Sequence, residues 1–215
     1  MKKKKGSSRK SPSKSFSIKK EYKKSIEYVK ESKEFIYFAI LLFAIFFALG
    51  LFFQDVINSA SKNTFGVNID EKILNLIEDL LKQTEGMGQK ELIGFIFLNN
   101  VQSSLISMFV GIILGIVPFF STLVNGYVLG FVAELSVKSG GITTLWRIFP
   151  HGLFELPAVF ISLGLGFRLG TIFFRKDKRK FLENLRESLK AFLLIVLPLL
   201  IVAAIIEGTL IAFGS

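Results

Sequence analysis

Six polar side chains lie within otherwise apolar stretches of the sequence, and they are the residues whose types could do chemistry. They are Asn99, Asn100, Glu134, His151, Glu155 and Glu207. His151 and Glu155 are four residues apart, which places both on one face of a helix. Three carboxylates and an imidazole that meet at one depth could bind a cation or a metal, or relay protons. The sequence therefore predicts a polar cluster inside an apolar protein.

The role of this cluster stays open at the level of sequence. Its members could pair with one another to fix the register of the helices, hold a cation or proton, or line a pocket for a partner or a lipid headgroup. The chain has no cysteine, and it contains no phosphate loop, nucleophile elbow or zinc-protease motif. We predict no catalytic residue, no enzymatic activity and no cofactor, and the sequence leaves open which metal, if any, would bind.

The elements that must position these residues are long apolar segments. Residues 35–53 carry no charge and are long enough to cross about 30 Å of hydrocarbon as a helix. Pro118 is expected to break the next apolar stretch, because an interior proline removes a helical hydrogen bond. The predicted fold is an all-α, multi-span transmembrane helix bundle with five spans. These run over about 35–53, 92–117, 120–137, 148–170 and 191–213.

The distribution of charge predicts how the bundle is oriented. Residues 1–34 carry 13 Lys/Arg and four Glu, and 171–190 carry seven basic and three acidic residues, whereas 54–91 carry four basic and seven acidic residues. Basic loops stay in the cytoplasm. We therefore predict a cytoplasmic basic N-terminal segment, an outer loop over 54–91, a cytoplasmic loop over 171–190 and an extracytoplasmic C-terminus. The net charge of +10 is explained by membrane insertion, and we expect no nucleic-acid partner.

Within the outer loop, residues 69–83 show the apolar spacing of an amphipathic helix. Its apolar positions are Ile69, Ile73, Leu76, Ile77, Leu80 and Leu81. Because the opposite face is acidic, we expect this helix to pack on the bundle or to bind a partner, rather than to lie on anionic lipid.

Small residues predict where the spans approach each other closely. Glycines spaced four apart allow two helix backbones to touch, and internal packing is the expected role, with self-association as the alternative. The three pairs are Gly111/Gly115, Gly126/Gly130 and Gly166/Gly170. Arg168, near the predicted inner end of the fourth span, is expected to extend its side chain to the cytoplasm.

The stretch from about residue 92 to 170 resembles the stage II sporulation protein M family of integral membrane proteins. The matching motifs are Asn99-Asn100, Gly111 with Gly115, Asn125-Gly126 with Gly130, and Phe149-Pro150-His151-Gly152-Leu153-Phe154-Glu155. In spore formers, the resemblance implies a multi-span organiser of a peptidoglycan-remodelling complex that drives engulfment, with wall hydrolysis carried by partner proteins. It implies no catalytic role for His151 or Glu155.

We therefore predict a non-enzymatic scaffold that organises partners at the cell envelope. The expected partners are the lipid bilayer and other membrane or envelope proteins, with a homo-oligomer as a further alternative. Residues 69–83 and 171–190 are the expected docking surfaces. The alternative functions are a transporter or channel-like protein that uses the polar cluster and, more weakly, an intramembrane metal-dependent enzyme.

Overall fold

The computed structural model describes residues 17–111, 115–147, 149–172 and 181–214, and the side chains of these except 146–147, 149–151 and 214. The described residues form helices and contain no strand. The helices are α1 (Ile18–Glu31), α2 (Lys33–Phe52), α3 (Gln54–Phe65), α4 (Ile69–Thr84), α5 (Gln89–Val110), α6 (Ile116–Gly140), α7 (Phe149–Gly170), α8 (Phe181–Ala191) and α9 (Leu197–Gly214). A 3₁₀ helix, Ile142–Arg147, precedes α7, and a π-helical segment, Phe192–Val196, joins α8 to α9.

Five helical segments of the described chain are long and apolar enough to cross a membrane, which confirms the predicted all-α, five-span fold. They are Lys33–Phe52, Gln89–Val110, Ile116–Gly140, Gly152–Gly170 and Phe181–Phe213. The last has 33 residues, about 50 Å of helix against about 30 Å of hydrocarbon. The sequence predicts a cytoplasmic loop over 171–190. From Phe181 onward, however, these residues form the amphipathic helix α8, which continues directly into the fifth span.

Helix α7 forms the centre of the bundle. It packs against α2, α5 and α9, and residues 162–170 are buried without exception. The sequence alternates large and small residues there, so that Leu163, Leu165 and Leu169 fill the core while the glycines admit neighbouring helices. Burial of residues 162–170 on all sides explains why this half of α7 is mainly apolar around its whole circumference, with Arg168 as its only charged residue.

All three predicted glycine pairs lie at helix crossings inside the bundle. A methyl group on Gly111 would lie 2.5 Å from the carbonyl oxygen of Gly166, and Gly170 lies directly against Gly111 and Gly115. Gly126 and Gly130 face α2, where a methyl group on Gly126 would lie 2.7 Å from the carbonyl oxygen of Phe43. The expectation of internal packing is confirmed at each pair.

The break between the second and third spans lies earlier than predicted. Helix α5 ends at Val110, and α6 begins directly after Gly115, whose φ of +70° is accessible to glycine with little strain. Pro118 is the third residue of α6, where its missing N–H would have no helical acceptor in any case. The predicted boundaries at 117 and 120 are therefore wrong, because α5 ends at Val110 and α6 begins at Ile116, so that Pro118 lies inside the third span and not at the break.

The extramembrane helices lie at opposite ends of α2. Helix α1 joins the start of α2 at Ser32 and packs against α8, and we call this the Arg168 end. Helices α3 and α4 follow α2 and pack against each other, and we call this the Glu134 end. The predicted helix over 69–83 is confirmed as α4. Its Ile73 is buried against Tyr127 and Phe131 of α6.

Candidate functional site

A buried arginine organises the Arg168 end. One terminal nitrogen of Arg168 donates to Ser32 Oγ at 2.7 Å and to the carbonyl oxygen of Tyr28 at 3.2 Å. The other donates to Glu31 at 3.2 Å, and the guanidinium lies 4.0 Å from the centre of the Tyr28 ring. Only 5% of Arg168 is exposed, so the expectation that it reaches out to the cytoplasm is wrong. It is buried because α1 lies over the end of α7 and supplies backbone and side-chain oxygens at that point.

Tyr28 extends this network to α8. Its hydroxyl donates to the carbonyl oxygen of Asn184 at 3.1 Å and lies 3.1 Å from Ser188 Oγ, and all three residues are buried. These two contacts join residues whose separations in the sequence are 156 and 160 residues. The arrangement fixes α1 to both α7 and α8.

An ion pair lies farther along the same two helices. Lys190 Nζ lies 2.6 Å from Glu21 Oε2 and 2.9 Å from Glu187 Oε1. Its hydrogen bond to Glu21, assisted by a second from Lys24, lowers the pKa of that carboxyl to about 2. Glu21 is therefore ionised at neutral pH and holds the start of α1 to the end of α8.

At the Glu134 end, in contrast, buried oxygen atoms outnumber the donors that reach them. Gln54 Nε2 donates to Glu134 Oε2 at 2.7 Å, and Lys138 forms an ion pair with the same carboxylate. Three buried oxygens nearby make no hydrogen bond within the described part of the chain: Gln54 Oε1, Asp70 Oδ1 and the Tyr127 hydroxyl. Burial raises the pKa of Asp70, with further contributions from the charges of Asp55 and Glu134.

Asn58 fixes the start of α4 at this end. Its side-chain oxygen accepts from the backbone N–H of Ile69 at 2.8 Å and, more weakly, of Asp70 at 3.4 Å. The helix also has a local N-cap, because Asn68 accepts from the backbone N–H of Glu71 at 3.3 Å. Together with the packing of Ile73, these contacts place the first half of α4 against α3 and α6.

The predicted polar residues are distributed over several helices. Glu134 of α6 accepts from Gln54 at the start of α3, and Glu155 and Glu207 are half-buried on α7 and α9. The His151 side chain lies outside the described set. On α5, Asn99 is exposed and Asn100 is half-buried. Among the described side chains, no three His, Asp or Glu residues are grouped so that they could hold a metal. The three carboxylates therefore do not form the metal-binding group that equal depth suggested.

The last two motifs quoted for the family resemblance lie in two regions of the bundle. Gly126 is buried at the crossing with α2, and the adjacent Asn125 is exposed on α6. Pro150 is the second residue of α7, as expected from the fixed φ of proline at a helix start, and Gly152 follows it within the first turn.

Sequence reasoning missed the partners of Arg168. Tyr28 and Ser32 are four residues apart on one helical face, as are Asn184 and Ser188, and this spacing of polar residues was the available signal. The sequence contains no sign that the two pairs meet, because they are brought together only by the packing of α1 on α8.

Comparison with known proteins agrees with this architecture. The family model "Stage II sporulation protein M" matches residues 39–210, which include all or most of each of the five spans. The chain belongs to this family.

Two relatives of this stage II sporulation protein M family member come from Methanocaldococcus jannaschii. Uncharacterized protein MJ0706 is 31% identical over 186 residues, covering 83% of this chain and 82% of the relative. Uncharacterized protein MJ0793 is 27% identical over 176 residues, covering 78% and 90%. No solved structure gives a significant match.

Proposed function

We propose that this stage II sporulation protein M family member is a non-enzymatic scaffold that positions partner proteins at the cell envelope, with α4 as a docking helix. The observation that supports the proposal is a set of exposed apolar side chains on a helix outside the five spans. They are Leu74, Leu76, Leu80 and Leu81, with exposed fractions of 48%, 50%, 40% and 64%. By helical spacing, Leu76 and Leu80 lie on one side of the buried isoleucines of α4, and Leu74 and Leu81 lie on the other. Together these four leucines, which we call the α4 patch, leave exposed apolar surface of the kind that protein partners cover.

Helix α4 divides its apolar surface between the bundle and this patch. Ile69, Ile73 and Ile77 pack against α3 and α6, whereas Leu80 and Leu81 lie in the last two turns, beyond those contacts. The exposed Glu78 and Asp79 border the patch. A partner with an apolar surface and a basic edge fits this combination.

The charge distribution supports an orientation for the scaffold. The basic segments 1–34 and 171–190 include α1 and most of α8 of the Arg168 end, and the acidic segment 54–91 includes α3 and α4. By the positive-inside rule, the N-terminus lies in the cytoplasm, whereas α4 and the C-terminus are extracytoplasmic. Docking through α4 would then bring together proteins that act outside the cytoplasmic membrane. In the described residues, no contact specifically favours the transport alternative.

Native co-purification tests the docking role. Leu76→Ser combined with Leu81→Ser should remove from the purified protein the partners that the unaltered chain retains, because these leucines make little contact within the chain. Val56→Ser combined with Phe65→Ser is the matched control, since both are exposed on α3 at the same end (67% and 77%). An unchanged set of partners in the α4 variant, or an equal loss in the control, would contradict docking through α4.

The orientation is tested separately. A reporter that is active only outside the cytoplasm should be active after Ser215, and a cytoplasmic reporter should be active at the N-terminus. A cytoplasmic signal from the C-terminal fusion would contradict the proposed topology without affecting the helix assignments.

A further inference from the structure

The middle of α5 carries polar side chains on its outward face. Asn99, Gln102 and Ser103 are exposed, and their spacing places them on one helical face with the exposed Ile106. The amides lie near the midpoint of the 22-residue helix, about 15 Å from either end. In a helix that spans a membrane, this position is the centre of the hydrocarbon.

Helix α6 continues this polar surface. Ser107 of α5 and Ser121 of α6 lie within hydrogen-bond distance, at 3.1 Å between their Oγ atoms, and Asn125 Nδ2 donates to Ser121 Oγ at 3.2 Å. These contacts connect Asn125 to α5, and Asn125 is itself exposed. We call Asn99, Gln102, Ser103 and Asn125 the amide face.

Lipid is a poor neighbour for the amide face. An amide has two donors and an acceptor, and hydrocarbon can pair with none of them. The bundle exposes large apolar side chains elsewhere, such as Tyr37, Leu41 and Ile45 on α2, as contact with lipid requires. Leu98 and Ile106, beside the amide face on α5, are exposed as well (65% and 47%). The amides are therefore the polar exception on a surface otherwise suited to lipid, which indicates that another polar surface covers them.

We propose that a second copy of this chain covers the amide face, so that the protein is a dimer in which the α5 helices meet. Each amide both donates and accepts, and the same face on two copies is therefore self-complementary across a two-fold axis. Ser103 is small and lies between the amides, which allows the two helices to approach closely. The three glycine pairs are occupied inside the bundle and are therefore not free to form this contact. This dimer does not depend on the docking role of α4.

Disulfide trapping tests the proposal directly, because the natural chain has no cysteine. Ser103→Cys should give a covalent dimer on oxidation in native membranes, since residue 103 lies at the centre of the proposed contact. Leu41→Cys is the matched control, because Leu41 is 60% exposed in the middle of α2. A dimer through residue 103 and not through residue 41 is the expected result. Equal trapping at both positions, no dimer at residue 103, or a cross-link from residue 103 to a different protein would overturn the proposal.

Replacement of the amides provides the second measurement. Asn99→Leu combined with Gln102→Leu should weaken the dimer about three- to tenfold, as expected for the loss of one or two interhelical hydrogen bonds in a membrane. The dimer fraction is measured by energy transfer between labelled full-length chains in bilayers at several protein-to-lipid ratios. Both residues are exposed, so the monomer should keep its melting temperature. An unchanged dimer fraction would contradict the amide contact, and a chain that is monomeric at every ratio would exclude the dimer itself.

Discussion

At the Arg168 end, a buried guanidinium directs both terminal nitrogens to oxygen atoms of α1, and only its Nε and the nearby Ser25 Oγ have no hydrogen-bond partner among the described residues. At the Glu134 end, three buried oxygens have no donor among the described residues. The first end is fixed by directional hydrogen bonds between segments far apart in sequence. At the second, α4 is held mainly by Ile73 and its apolar neighbours. This difference indicates that the Arg168 end keeps one geometry, while the Glu134 end is the more adjustable surface and the better place for a docking helix.

The largest effect is expected at Arg168. Arg168→Ala removes the guanidinium that donates to Ser32 Oγ and lies over the Tyr28 ring, and it leaves a cavity in a buried region. We expect it to lower the free energy of unfolding by about 3 kcal/mol. Unfolding in mixed detergent micelles measures this change. Arg186→Ala is the matched control, because Arg186 is exposed on α8 and should change stability by less than about 0.5 kcal/mol. Equal effects of the two variants would remove the distinction between the ends.

Glu134 tests the other end. Glu134→Ala removes the acceptor of Gln54 Nε2, which is buried, and should cost about 2 kcal/mol. Glu134→Gln keeps an acceptor and loses only the ion pair with the exposed Lys138, so about 1 kcal/mol or less is expected. The same unfolding measurement checks both variants. A larger loss from Glu134→Ala than from Arg168→Ala would reverse the proposed order of the two ends.

A local effect is expected at Asn58. Asn58→Ala removes the acceptor of the Ile69 N–H and should destabilise α4 by about 1 kcal/mol. Hydrogen exchange of the α4 amides should accelerate about fivefold, while exchange in α7 stays unchanged. Asn63→Ala is the control, because Asn63 is at an exposed position of α3, the helix that carries Asn58. Equal acceleration in α7 would show that α4 does not open on its own.

Acidification should loosen the Arg168 end. The pKa of Glu21 is about 2 in the folded protein against an ordinary value of 4.5, so the unfolded chain binds the proton more readily. The stabilisation by its pairing with Lys190 is therefore complete above about pH 4.5 and is lost as the pH falls towards 2. Comparison of the unaltered chain with Glu21→Gln over pH 2–6 isolates this contribution, and parallel profiles would contradict it.

The sign is opposite at Asp70. Burial raises the pKa of this carboxyl above its ordinary 3.8, so the folded protein binds the proton more readily than the unfolded chain. The stabilisation that the protonated Asp70 carboxyl contributes is complete below pH 3.8, and it is lost as the pH rises through the raised pKa of the folded protein. Asp70→Asn should remove this dependence, which hydrogen exchange in α4 as a function of pH can detect. A contribution that grows with rising pH would show that Asp70 is stabilised as the carboxylate.

Much of the fold was accessible from the sequence because it depends on local composition. The uncharged stretch 35–53 required a spanning helix, and α4 followed from its apolar spacing. The predicted break after α5 is misplaced because an interior proline is expected to break a helix, whereas α6 starts directly after Gly115 and accommodates Pro118 in its first turn. The polar cluster stays a prediction as a whole, although its three carboxylates are not grouped for a metal among the described side chains. Equal depth along four helices does not specify which faces meet.

What the sequence by itself determined was the number of spans, the charge of each loop and the glycines that admit close helix contacts, because these depend on residues next to or four away from one another. The tertiary structure alone decided that Arg168 is buried, that Tyr28 meets Asn184 and Ser188, and that Asn99 and Gln102 lie on the surface. Those outcomes depend on the rotation of each helix about its axis and on which helices become neighbours, and packing over the whole chain sets both.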